Sequence, residues 1–198
     1  MKLVEQHIID RYDPRFAVID PACFASKNLY NAALYILRQA FFDHSHVPTY
    51  AQLAHTLKDT PEFCALPAKV AQWVVRQVCG NWDTFWKAHN AYQKWPGKFT
   101  GRPKLPHYKP KSDGRNLLVY TRQAISRPAL KTGRICPSQL DITIQTKQKE
   151  VQQVRSFPTL HTMLSKSSIQ LIPYPPQRIT LTLHGRPVSI WALTSLRL

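Results

Sequence analysis

The chain has 198 residues, 43% of them hydrophobic, and carries 27 Lys and Arg against 11 Asp and Glu, a formal net charge of +16. That length allows one domain or two small ones with a buried core, and the cationic excess points to polyanionic partners. No run of 18 apolar residues and no signal-peptide pattern occurs, so a cytoplasmic location is expected.

The charge is unevenly placed. Residues 1–93 hold nine Lys/Arg against eight Asp/Glu, residues 94–150 thirteen against three, and residues 151–198 five against none. A nearly neutral first half beside a strongly basic segment predicts a located electrostatic footprint. The competing reading is a solvated cationic linker. Cys23, Cys64, Cys79 and Cys136 are scattered without a CxxC pair. No zinc ribbon is therefore expected, and the thiols are expected to be buried and reduced.

In chain order, Lys2 to Ile9 alternates polar and apolar residues and predicts a first strand. Asp20-Pro21 reads as an N-cap followed by Pro at the first helical position, opening a helix over 22–42. Phe24, Tyr30, Leu34, Leu37 and Phe41 recur on one face of it. Val47-Pro48-Thr49 breaks the chain and caps a short helix near 50–57. Pro67 opens the longest helix, to about Tyr92, with Val74, Val78, Trp82, Phe85 and His89 as its apolar stripe. His89 there reads as a core histidine, not a metal ligand. Lys69, Gln72, Arg76 and Lys87 point away from that stripe, toward solvent or a ligand.

Residues 95–111 are rich in Pro, Gly and Lys and predict irregular structure. Five short strands are expected beyond them, at 116–120, 123–126, 134–136, 140–146 and 151–155, with turn signals at Ser112-Asp113-Gly114 and Thr132-Gly133. The whole predicts an α+β fold in which a helical insert separates a first strand from a later strand cluster.

Four segments carry a family resemblance: FASKNLYNAALYILRQ at 24–39, LPAKVAQWVVRQV at 66–78, KFTGRPKLPHYK at 98–109 and LLVYTRQAIS at 117–126. Their wording and order resemble the N-terminal part of the TnpB (OrfB-type) proteins of transposons, relatives of the type V CRISPR effectors. The resemblance implies a wedge-type β-barrel interrupted by a helical recognition domain and followed by a RuvC-type nuclease. On this chain it implies a first wedge strand in 1–15, the helical recognition domain in 16–95, and a basic linker with the remaining wedge strands in 96–155. An irregular tail would occupy 156–198. The partners implied are a guide RNA made from the transposon end and a target DNA, with base pairing reading sequence and protein reading a short flanking motif.

The resemblance further implies that Lys69 and Gln72, with Arg76 beside them, meet DNA on the recognition helix, where Gln pairs bidentately with adenine. Thr121 and Gln123 fall on a wedge turn near the same site. Arg122 departs from the family, which usually has Asn there. Lys98, Arg102, Lys104, Lys109 and Lys111 suit RNA phosphates, with Tyr108 available for stacking.

The nuclease pattern is missing. A RuvC-type site holds Mg²⁺ through several carboxylates, yet no Asp or Glu follows Glu150. Neither metal binding nor cleavage is expected of this chain alone. Beyond Arg155 the family likeness stops. TMLSKSSIQ and SIWALTSLRL can each be encoded with codons chosen so that one common shifted frame reads HVIEVVHP and DLGLNLLTV. These resemble the family's next strand and its first catalytic-Asp strand. The tail therefore reads as out-of-frame peptide, with at most one short strand, at 179–183. Three functional readings stand at this point: a TnpB-type protein without its nuclease, a non-catalytic RNA- or DNA-binding module acting as a repressor or regulator, and a ribosomal or structural RNA-binding protein with a helical insert.

Overall fold

The computed structural model describes residues 4–159, 166–172, 180–183 and 186–189, with side chains described for 4–156. β1 (Glu5–Ile9) leads into α1 (Phe16–Phe42), followed by α2 (Tyr50–Leu57), α3 (Pro61–Cys64) and α4 (Ala68–Lys94). Then come β2 (Leu118–Thr121), α5 (Arg127–Lys131), β3 (Arg134–Ile135), β4 (Ile144–Gln145) and β5 (Gln153–Thr159). β6 (Lys166–Ile172), β7 (Thr180–Leu183) and β8 (Arg186–Ser189) complete the order. The fold is α+β.

α1 and α4 pack on each other and on β2. Leu29, Leu34 and Leu37 of α1 meet Val70, Val74, Val75 and Val78 of α4 in one continuous core. That core runs on through Leu118, Tyr120, Ile135, Ile144 and Val154, so the helical insert and the strands share it. The α4 stripe is buried as its spacing predicts, except that His89 is only half-buried, where its ring stands 5.8 Å from both Phe85 and Trp86. Thr49 caps α2 and Pro67 precedes α4, both as the sequence indicates, and Gln52 completes a capping box with Thr49.

The start of α1 differs from expectation. The helix begins at Phe16 and runs through Pro21. Asp20 is not a cap; its carboxylate accepts two 2.7 Å bonds from the Arg115 guanidinium. The bend before α1 is instead fastened by Asp10, whose carboxylate accepts from the Tyr12 and Asp13 amides. A tertiary ion pair has taken the residue that local cap chemistry would claim.

The described strands gather mainly in one sheet. Its four strands run in the order β1-β6-β5-β2, every neighbouring pair antiparallel, with β3-β4 and β7-β8 as separate two-stranded ribbons. No closed barrel forms among the described residues. β2 is an edge strand, but α4 covers it, and Leu118, Val119 and Tyr120 are all buried. The strand expected at 123–126 is a 3-10 turn, Arg122–Ala124, followed by a single bridge from Ile125 to Pro137. The one expected at 140–146 is reduced to Ile144–Gln145. α5 was not foreseen; Ser126 and Pro128 are its local signals. All four cysteines are free, but only Cys23 is buried, and Cys64 is exposed.

The region beyond Arg155 also departs from expectation. It carries β6, β7 and β8 in place of at most one strand. β6 lies between β1 and β5, with Glu5 opposite Leu171 and Val154 opposite the same residue on its other side. The first strand thus joins the sheet only through this segment. Backbone pairing needs a period-two stretch and two open edges, whatever the origin of the segment, and KSSIQLI offers one. Pro173, Pro175 and Pro176, expected to keep the chain irregular, lie outside the described residues, as do residues 190–198. Paired on both edges, the β6 amides should exchange as slowly as those of α4; free exchange over 167–171 in hydrogen-exchange mass spectrometry would contradict the pairing.

Candidate nucleic-acid interface

Residues 95–117 form a basic strap, and its second half, 106–117, runs along α1 in the reverse direction. Asp20, Lys27, Asn31 and Arg38 fall at i, i+7, i+11 and i+18, which places them on one helix face. Arg38 Nη1 donates to the Pro106 carbonyl at 2.9 Å. Asn31 holds the Lys109 peptide at both ends, accepting from its N–H at 2.9 Å and donating to its carbonyl at 3.0 Å. Lys27 Nζ donates to the Lys111 carbonyl at 2.6 Å and stands 3.7 Å from the Phe24 ring centre. Asn116, fully buried, donates to Ser26 and Gln77.

Burial, then the charges of Arg115 and Lys111, hold the Lys27 ammonium below the ordinary lysine range. The carbonyl and the ring offset that desolvation. Gly114 permits the turn: a Cβ there would sit 2.3 Å from the Pro110 carbonyl oxygen. The linker is irregular, as expected, but it is not free.

The α1 contacts hold the backbone at Pro106, Lys109 and Lys111. Lys98, Arg102, Lys104 and Lys111 are exposed. Lys98 Nζ lies 5.1 Å from the exposed Trp95 ring. Lys109 is half-buried, folded back over Tyr30 at 5.3 Å, and burial pushes its ammonium down. Tyr108 is exposed, with the Arg38 guanidinium 5.1 Å from its ring.

The second surface is a groove of about 380 Å³ where the first turns of α4 face the end of β2. Lys69, Gln72 and Arg76, spaced three and four apart, project from one side of α4. Thr121 and Gln123 reach in from β2 and the 3-10 turn. Gln152 and Gln153 enter from the start of β5, held there by the Thr121–Gln153 register and the Arg122 N–H bond to the Gln152 carbonyl at 3.0 Å.

Tyr50 and Trp73 flank Arg76, their rings 5.0 and 5.7 Å from its guanidinium carbon. Arg155 donates twice to Gln153 Oε1, at 3.1 and 2.8 Å, which leaves the Gln153 amide N–H groups as donors. No carboxylate lines the groove. Its chemistry is paired amide donors and acceptors with cations at the edge, which suits base edges and phosphates respectively.

Five of the eleven residues expected at a nucleic-acid site, Lys69, Gln72, Arg76, Thr121 and Gln123, therefore meet in one groove. The other six, Lys98, Arg102, Lys104, Tyr108, Lys109 and Lys111, lie along the strap and line none of it. Sequence reasoning missed Tyr50, Trp73, Gln152 and Gln153. The only local signal was their residue type, since the β2–β5 pairing that delivers both glutamines is long-range.

Among the described residues, no group of three or more His, Cys, Asp or Glu is placed to hold a metal. Asp13 is bound by Arg15, Asp20 by Arg115, and Glu5 by Thr146. No helix among the described residues is long and apolar enough to cross a membrane. Compared with known proteins, the chain matches no family model, and no curated protein gives a significant match.

Proposed function

We propose that this chain is the nucleic-acid-binding portion of a TnpB-type, transposon-associated RNA-guided DNA endonuclease. In this reading the groove reads a short duplex motif, while the strap cations hold guide RNA by its phosphates. The observation that carries it is the meeting, in one acid-free groove, of Lys69, Gln72 and Arg76 with Thr121 and Gln123, some fifty residues further along the chain. Gln72 and Gln123 would read base edges; Lys69 would take a phosphate; Arg76, stacked between two rings, would present a fixed charge.

A second reading is a non-catalytic binding module acting as a repressor or regulator. Both readings use the same groove.

The test is selection from a randomised duplex library. Gln72→Ala should relax preference at one A·T position by about 5- to 150-fold, the weight of one bidentate base contact of ~1–3 kcal/mol. Lys69→Ala should weaken all sequences alike and lower the salt slope by about one. A sequence profile unchanged by Gln72→Ala would overturn the assignment.

A further inference from the structure

A second cleft, of about 250 Å³, opens at the far end of α4 from the groove. Phe41, Phe85, Trp86 and His89 wall it, and the strap crosses its mouth with Arg102 and Pro103. It is smaller than the roughly 300–1,000 Å³ that a drug-sized ligand takes, and is of a size for one planar ring system. The rings are set at angles to one another: Trp86 meets His89 at 88° and Phe41 at 68°, with centroids 5.8 Å apart in both cases. Such a corner leaves ring faces open to a stacked guest. Trp86 remains 36% exposed.

No carboxylate lines this cleft either. Its charged member is the exposed Arg102, set in sequence between the exposed Lys98 and Lys104. An aromatic corner beside a cationic backbone track is the chemistry of a base-stacking site: the rings take a base and the cations take the phosphates on either side.

We propose that this cleft binds one unpaired nucleobase of single-stranded nucleic acid, stacked on Trp86, with Arg102 on a neighbouring phosphate. The site is independent of the groove. Gln72 and Trp86 are fourteen residues apart on α4, or about 21 Å at 1.5 Å per residue. The two can therefore engage a duplex and an adjoining single strand at once.

The experiment uses the whole chain and fluorescence anisotropy with three probes: a short labelled single strand, the same strand with abasic sites, and a duplex of equal length. Trp86→Ala should weaken the intact strand about 5- to 150-fold, the equivalent of one base stack at ~1–3 kcal/mol. Abasic-strand and duplex affinities should stay within about twofold. Trp86→Phe, which keeps a ring, should retain most of the intact-strand affinity. Arg102→Ala should weaken intact and abasic strands alike and reduce the salt slope.

The proposal is overturned if the wild-type chain binds intact and abasic strands equally. It is equally overturned if Trp86→Ala leaves the intact strand unaffected, or if it weakens the duplex as much as the strand. Groove failure would show separately, as a duplex profile insensitive to Gln72→Ala.

Discussion

Binding of this chain to RNA or DNA should weaken about 10³–10⁵-fold between 50 and 200 mM salt, if roughly six to ten phosphates are neutralised. The supply of cations is sufficient. Residues 94–134 carry eleven Lys/Arg against the single Asp113. The structure withdraws two of them: Arg115 is paired with Asp20, and Lys109 lies over Tyr30. It adds Lys69 and Arg76 at the groove. Replacing Lys98, Arg102, Lys104, Lys109 and Lys111 together by Ala should flatten the salt slope. Within that set Lys109→Ala should contribute least, because its ammonium is already turned onto a ring and desolvated. A salt-insensitive affinity, or an unchanged one in the fivefold variant, would show that the basic strap is a solvated connection and not an interface.

Trp82→Ala should cost about 3–5 kcal/mol of stability, the range for truncating a large buried aromatic. For a chain of this length that is a fall in Tm of roughly 6–20 °C. Trp82 is 3% exposed and joins the two long helices, with its ring 5.8 Å from Phe41 of α1 and 6.0 Å from Phe85. Its indole N–H is buried without a partner among the described residues. Trp82→Phe should therefore cost under about 1.5 kcal/mol, since the lost ring volume is offset by removing an unsatisfied donor. A thermal melt of the two variants decides the matter. A Tm within about 2 °C of wild type for Trp82→Ala would mean that the α1–α4 seam is not the centre of the core. The neighbouring Trp86→Ala should cost less than Trp82→Ala, because that ring is 36% exposed and lines an open cleft.

The helical half was legible because helices are local. The 3.6-residue period of Val74, Val78, Trp82 and Phe85, the Thr49 cap and the helix start at Pro67 are each set by residues within a few turns. Strand lengths were less legible. Two of the strands expected from apolar runs shrank to a two-residue ladder and a 3-10 turn, because a strand exists only where a partner edge is available. β6 shows the converse: its pattern is ordinary, and its position between β1 and β5 follows from which edges were left open.

The groove divides in the same way. Residue type and family wording singled out Lys69, Gln72, Thr121 and Gln123, but that they share one concavity depends on α4 covering β2. Gln152 and Gln153 join them only through the β2–β5 register. The strap is the clearest case. Composition established that 95–111 is basic and irregular. Only the packing of α1 determined which of its lysines face outward, since Asp20, Lys27, Asn31 and Arg38 act as a gripping face once a chain some seventy to ninety-five residues away lies against them. Charge and periodicity are properties of neighbours in sequence, and these the chain states outright. Which polar groups are buried against which backbone depends on long-range closure, and only the folded structure decided that.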